Sequence, residues 1–115
     1  MACSYKMSPA IFGETLYFVT DDDLWSVSIR GGIAKRLSHS KGHPAHPMIS
    51  PNGKYIAYTS NESGPREIYL MESNGGNQKR LTFLGDCRLI GWEGNEKIIF
   101  TSAMKNFTHN SIMGL

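Results

Sequence analysis

Three histidines, His39, His43 and His46, stand four and three residues apart, a spacing from which a metal site can be built. The stretch also carries Pro44 and Pro47 and lacks a well-placed carboxylate, so it reads as a linker and no metal ligand is assigned in it. Asp21-Asp22-Asp23 invites a calcium reading. An EF-hand loop also needs a glycine at its sharp turn and a distal glutamate, and both are absent here. The run falls between two strand-like segments, and a polar hairpin turn is expected. Nucleophilic catalysis requires a Ser, Cys or Thr beside a base, with donors for the oxyanion. No Gly-x-Ser-x-Gly elbow occurs, and the serines fall mostly in turns, where a hydroxyl bonds the local backbone. The pairs Gly31-Gly32 and Gly75-Gly76 lack the Lys and Ser or Thr of a phosphate loop and precede strands rather than helices. Trp25 and Trp92 could stack a ligand, but packing between repeats is the expected role. Catalytic, cofactor-binding and metal-binding residues are all read as none.

The elements that position these residues are short and numerous. The chain has 115 residues, 40% of them hydrophobic and 19% charged, with 12 glycines and 5 prolines. This is the composition of a folded domain rich in turns, and frequent turns favour short strands over long helices. The formal net charge is +2, and the tightest basic clusters are Lys35-Arg36 and Lys79-Arg80. A nucleic-acid binder gathers its charge on one stripe, so no nucleic-acid partner is expected. No stretch approaches the roughly 20 apolar residues of a membrane helix, so no membrane partner is expected either. Two cysteines, Cys3 and Cys87, are too few for a disulfide framework and read as free thiols. The segment Met1 to Pro9 has no apolar core of a signal peptide. With Met1 as the start, the expected location is cytoplasmic. Two glycosylation triplets, Asn61-Glu62-Ser63 and Asn106-Phe107-Thr108, carry no weight.

An internal repeat organises the whole sequence. Asp23-Leu24-Trp25 matches Glu67-Ile68-Tyr69, Gly31-Gly32 matches Gly75-Gly76, and Lys35-Arg36-Leu37 matches Lys79-Arg80-Leu81, all at an offset of 67 − 23 = 44. Leu16 to Thr20, Ile56 to Ser60 and Ile98 to Ser102 form a second series, with offsets of 56 − 16 = 40 and 98 − 56 = 42. The variation falls in linking loops, where insertions are tolerated. A repeat of this length made of strands is the mark of a propeller blade. The expected fold is all-β: four-stranded antiparallel β-propeller blades, about two and a half of them in an incomplete propeller.

The clearest blade runs from about His46 to Phe83. Its expected strands are Pro47 to Ile49, Lys54 to Ser60, Arg66 to Met71 and Gln78 to Phe83. Ser50-Pro51-Asn52-Gly53 between the first two supplies the backbone angles of a tight hairpin, and Ser73-Asn74-Gly75-Gly76 closes a second one. Ile56 and Tyr58 should share one face, with Tyr55, Ala57 and Thr59 on the other. Ile68 and Leu70 should likewise oppose Tyr69. Bulk on both faces suits a blade packed between two neighbours, because a single blade cannot bury its own faces. Lys79 and Arg80 should meet water at the outer rim and discourage edge pairing.

Ser50-Pro51-Asn52-Gly53-Lys54-Tyr55-Ile56-Ala57-Tyr58, Glu67-Ile68-Tyr69-Leu70, Gly75-Gly76 and Arg80-Leu81-Thr82 resemble the WD-like repeat of TolB and of tricorn proteases, with Asn52 where those families usually have Asp. Ile11 to Val19 leading into Asp22-Asp23-Leu24-Trp25, then Leu81 to Gly85, Gly91-Trp92 and Ile98 to Ser102, are similar to the start of the first tricorn propeller. The resemblance covers roughly Ser8 to Phe107. It implies a division into an N-terminal arm (1–10), propeller blade repeats (11–107) and a tail (108–115).

The resemblance also implies a non-catalytic segment of a tricorn-type serine peptidase, a cytoplasmic hydrolase assembled as a hexamer, with the propeller as a gate or scaffold for peptide access. The implied partners are the remaining blades and catalytic domains and the peptides passing through the channel. The alternative is a TolB-like protein-binding propeller without peptidase activity. On either reading the natural protein should be longer, and this segment alone should be marginal, sticky or oligomeric. Whether the segment belongs to an enzyme depends on those further parts.

Overall fold

The computed structural model describes residues 9–20, 23–38, 42–62, 64–102 and 110–111, the last pair as backbone only. The expected arm (apart from 9–10) and the tail (apart from 110–111) lie outside the described residues. So do Cys3, Asp21, Asp22, His39, Ser63 and the second glycosylation triplet.

The described chain forms three antiparallel sheets and no helix. The first contains β1 (Ala10–Phe12), β2 (Thr15–Thr20), β3 (Asp23–Ser28) and β4 (Lys35–Arg36), paired in chain order. The second contains β5 (Ala45–Ile49), β6 (Tyr55–Ser60), β7 (Glu67–Glu72) and β8 (Lys79–Arg80), again in chain order. The third holds β9 (Cys87–Glu93), β10 (Lys97–Ser102) and β11 (Asn110–Ser111). These are the expected blades, here called blades 1, 2 and 3. The repeated segments take equivalent places: β2, β6 and β10 are the three copies of one strand, and β3 and β7 carry the Asp-Leu-Trp and Glu-Ile-Tyr triplets.

Strand alternation assigns the two faces of blade 2, since successive side chains point to opposite sides. Ile56, Tyr58, Tyr69 and Met71 pack with Tyr17, Leu24 and Leu37 of blade 1. Ala57, Ile68 and Leu70 pack with Cys87, Leu89, Ile98 and Phe100 of blade 3. The expected division of faces holds, and β6 and β7 are buried along nearly their whole length on both sides. The rings of Tyr58 and Tyr69 stack at a centroid distance of 5.8 Å, an offset geometry that adds to their area burial.

The hairpin at Ser50 to Lys54 is closed largely by two side chains. Ser50 Oγ donates to Asn52 Oδ1 at 2.7 Å and accepts from Tyr55 N at 3.1 Å, while Lys54 N donates to Asn52 Oδ1 at 3.1 Å. Gly53 has φ +77, and the ring of Phe12 lies where a Cβ would stand. Glycine is therefore required twice over, by the backbone angle and by the close approach.

The fourth strand of blade 2 is shorter than the expected Gln78 to Phe83. Only Lys79 and Arg80 pair with β7. Leu81 N still reaches Ile68 O at 2.8 Å, but the next rung belongs to a side chain, with Ile68 N donating to Thr82 Oγ1 at 2.9 Å. The hydroxyl replaces a backbone carbonyl, and the chain is released from the ladder toward blade 3.

Candidate functional site

The first strands come together on one side of the molecule, with β5 lying against β1 and β9. The linkers that carry the chain from one blade to the next pass close by, and the richest polar cluster forms there. Its centre is Glu67 at the start of β7, with 1% of the residue exposed. Glu67 Oε1 accepts from Thr82 Oγ1 at 2.6 Å and Leu84 N at 3.2 Å, and Oε2 accepts from Gly85 N at 2.8 Å. Arg80 pairs with Oε2 at 3.3 Å, and the Cys87 thiol stands 3.5 Å from Oε1. Burial pushes this carboxyl up, but the hydrogen bonds from Thr82, Gly85, Leu84 and Cys87 outweigh it and hold the group below the usual carboxylate range. Burial pushes the Cys87 thiol up, so this free, buried cysteine is a structural thiol and not an activated nucleophile.

The same arrangement occurs one blade earlier at the repeat offset of 44. Ser38 Oγ donates to Asp23 Oδ1 at 3.1 Å and accepts from Leu24 N at 2.9 Å. Arg36 lies 3.6 Å from Asp23 Oδ2, and Leu37 N reaches Leu24 O at 2.7 Å. Acid, arginine and hydroxyl thus recur as one unit, Asp23–Arg36–Ser38 and Glu67–Arg80–Thr82. The unit fastens the outer strand to the third strand and turns the chain out of the blade. Asp23, read from sequence as part of a polar turn, is the acid of the first unit.

Blade 3 is held to blade 2 by further polar contacts. Ser102 Oγ donates to Gly85 O at 2.8 Å, Cys87 N donates to Arg66 O at 2.9 Å, and Trp92 Nε1 donates to Met48 O at 2.9 Å. Asn52 N donates to Asn95 Oδ1 at 2.8 Å, joining the corresponding hairpins of the two blades. Trp92 therefore has its expected inter-blade role. Trp25 sits beside Phe18 on the face of blade 1 turned away from blade 2, half-buried, and its buried indole nitrogen has no acceptor among the described residues. The two tryptophans occupy different strands of their blades, so the repeat does not equate them.

A cleft of about 280 Å³ opens between blades 2 and 3, lined by His46, Thr59, Arg66, Asp86, Cys87, Arg88 and Leu89. Arg66 is already engaged there, donating to His43 O at 2.6 Å and to Thr59 Oγ1 at 3.1 Å. His43 and His46 are both exposed, and His46 takes φ 54 at the irregularity in the β5–β6 pairing. Among the described residues, no group of three or more His, Cys, Asp and Glu is placed to hold a metal ion, and no helix is long and apolar enough to cross a membrane. The cluster is an assembly of donors around fixed acids; what it does chemically is hold one blade against the next.

Comparison with known proteins gives this architecture a family. The tricorn protease homolog 1 of Streptomyces coelicolor is 35% identical over 103 residues, which is 88% of this chain and 10% of that protein. A Sulfurisphaera tokodaii protein, named as a tricorn-like protease N-terminal subunit, is 33% identical over 101 residues, 83% of this chain and 51% of that one. The chain thus spans about a tenth of one relative and about half of the other. Among solved structures, the tricorn protease superposes with a TM-score of 0.71 at 21% identity, covering 83% of this chain and 10% of that chain. TolB from Acinetobacter baumannii superposes with a TM-score of 0.68 at 22% identity, covering 80% of this chain and 25% of that chain. At these identities the superpositions carry the fold alone. The family model of the tricorn protease N-terminal beta propeller domain matches residues 4–113, and the chain belongs to that family.

Proposed function

We propose that this chain is a non-catalytic part of the N-terminal propeller of a tricorn-type serine peptidase, serving as gate and scaffold for peptides on their way to or from a catalytic region elsewhere. The observation that carries the reading is the ordered series of three blades with converging first strands, in a chain about one-third identical to tricorn protease homologues. A fold does not fix a function, so the reading rests on the ordered motifs and the relatives. It includes an arm (1–10), blade repeats (11–107) and a tail (108–115). It also includes further blades and catalytic domains as partners, peptides as cargo, a hexameric parent and a cytoplasmic location. No cofactor, metal or catalytic residue of this segment takes part.

The test has two arms. The 115-residue chain alone should not hydrolyse fluorogenic peptides; turnover abolished by a serine-directed inhibitor would overturn the reading. Residues 11–107, exchanged for the matching blades of the Streptomyces coelicolor homologue, should leave cleavage of very short peptides intact and change the rate on long ones several-fold. Equal rates at every length would remove the gating role and favour a TolB-like binding module without peptidase activity.

A further inference from the structure

The dipeptide Asn-Gly occurs at two places in this chain, Asn52-Gly53 and Asn74-Gly75. In such a pair the glycine nitrogen can attack the asparagine side-chain carbon, because no Cβ on the glycine shields it. A new N–Cγ bond closes a five-membered succinimide, the Cγ–Nδ2 bond breaks, and ammonia leaves with the glycine amide proton. Water then opens one of the two ring C–N bonds and gives aspartate or isoaspartate. The reaction needs solvent, a glycine nitrogen released from its turn, and a side chain free to swing onto it.

The two pairs are held differently. Both asparagines are exposed. Both glycine nitrogens close a turn at 2.8 Å, Gly53 N on Ser50 O and Gly75 N on Glu72 O, so this bond does not separate them. The side chains do. Asn52 Oδ1 accepts from Ser50 Oγ at 2.7 Å and from Lys54 N at 3.1 Å. Asn52 N donates to Asn95 Oδ1 at 2.8 Å, and the Phe12 ring lies against Gly53. The Asn74 side chain has one hydrogen bond among the described residues, from Gly76 N to Oδ1 at 3.0 Å. Local opening is easiest where the fewest contacts must break, and that is the turn of Asn74.

We propose that Asn74 is a site of spontaneous deamidation, where an amide becomes a carboxylate on the β7–β8 hairpin, while Ser50, Lys54, Asn95 and Phe12 keep Asn52 from the same reaction. The product matters where it forms. Glu72 Oε1 and Asn74 Oδ1 flank Gly76, at 3.2 Å and 3.4 Å from where a Cβ would stand, so aspartate puts a second negative charge beside Glu72. Isoaspartate adds an atom to the main chain next to Gly75, where Leu37 O of blade 1 lies 3.1 Å from the place of a Cβ. The proposal rests on these two turns and is independent of the peptidase reading. Its readout is a peptide mass and not an activity, so the two can fail separately.

The 115-residue chain, held in mildly alkaline buffer and then digested with trypsin, yields peptides 42–54 and 67–79, with one Asn-Gly pair in each. Fragment masses should show Asn74 converting about tenfold faster than Asn52, the effect expected of the extra hydrogen bonds, with isoaspartate among the products captured by isoaspartyl methyltransferase. Equal rates, a faster Asn52, or an Asn74 that stays intact while the free peptide 67–79 converts would each overturn the proposal. Conversion without isoaspartate would overturn the succinimide route. Ser50→Ala should raise the rate at Asn52 several-fold and leave that at Asn74 unchanged; an unchanged Asn52 would overturn the protection that separates the two sites. If Ser50→Ala does not fold, Asn95→Ala, on an exposed hairpin, takes its place with the same two outcomes.

Discussion

Thr82 Oγ1 lies 2.6 Å from Glu67 Oε1 while accepting from Ile68 N at 2.9 Å, so a single hydroxyl fixes a buried acid and completes a β-ladder. Ser38 does the same for Asp23 and Leu24 one blade earlier, at 3.1 Å and 2.9 Å. The second unit is the tighter one: the Glu67 side chain is 2% exposed, against 20% for Asp23.

The two acids should differ in their effect on stability. Glu67→Ala leaves Leu84 N and Gly85 N without their acceptor in a partly buried linker, and an unsatisfied donor to a charged acceptor costs about 3 kcal/mol. Asp23→Ala, at a wetter site, should cost about 1 kcal/mol. Urea unfolding of both variants beside the unmodified chain gives the comparison; equal losses would mean that the second unit holds the blade no more firmly than the first.

Acid should act through Glu67. Its carboxyl is held below the usual range in the folded chain, so its contribution is fully present above the unfolded-state value of about 4.3 and declines as pH falls through the lower folded value. Urea midpoints taken from pH 6 to pH 3 should fall more steeply for the unmodified chain than for Glu67→Gln. Parallel curves would place the acid sensitivity elsewhere.

Tyr58 is fully buried, and its hydroxyl has no hydrogen-bond partner among the described residues. Desolvation is the largest cause pushing its pKa up, with smaller contributions from Glu62 and Tyr69. Tyr58→Phe removes a buried polar atom and keeps the ring stacked on Tyr69, so stability should change by less than about 1 kcal/mol, with an increase favoured. A loss of about 2 kcal/mol or more in thermal or urea unfolding would reveal a partner for that hydroxyl.

Gly53→Ala should cost more than about 1 kcal/mol, since the residue sits at φ +77 against the Phe12 ring. Phe12→Ala in the same background should recover part of the loss by removing the clash and leaving the backbone strain. Additive losses in the double variant would show that the ring gives way freely.

Much of this architecture was legible because the repeat is written in large side chains. Ile56, Tyr58, Ile68 and Leu70 announced both faces of blade 2 by alternation, and the observed strand ends there fall within about two residues of those read from sequence for three of its four strands. The acid and arginine of each unit were also visible as matched pairs, Asp23 with Glu67 and Arg36 with Arg80. Their purpose was not. Ser38 and Thr82 sit where strand periodicity has stopped, and a hydroxyl that substitutes for a backbone rung leaves no trace in hydrophobic pattern. The same substitution made the last strand of blade 2 two residues long instead of six. Trp25 stands at the repeat position of Tyr69, which packs between blades, but its face of blade 1 is turned away from blade 2, so blade 2 does not cover it.

The burial of β6 and β7 on both sides has a further consequence for how the molecule opens. In a linear array, each unit is stabilised mainly by its nearest neighbours, and local opening follows the weakest coupling. Amide protons along β6 and β7 should be the last to exchange with solvent, and those of β2 and β10, which are less completely buried, should exchange earlier. Blade 2 thus serves as the thermodynamic keystone: it opens only when one of its neighbours has already let go.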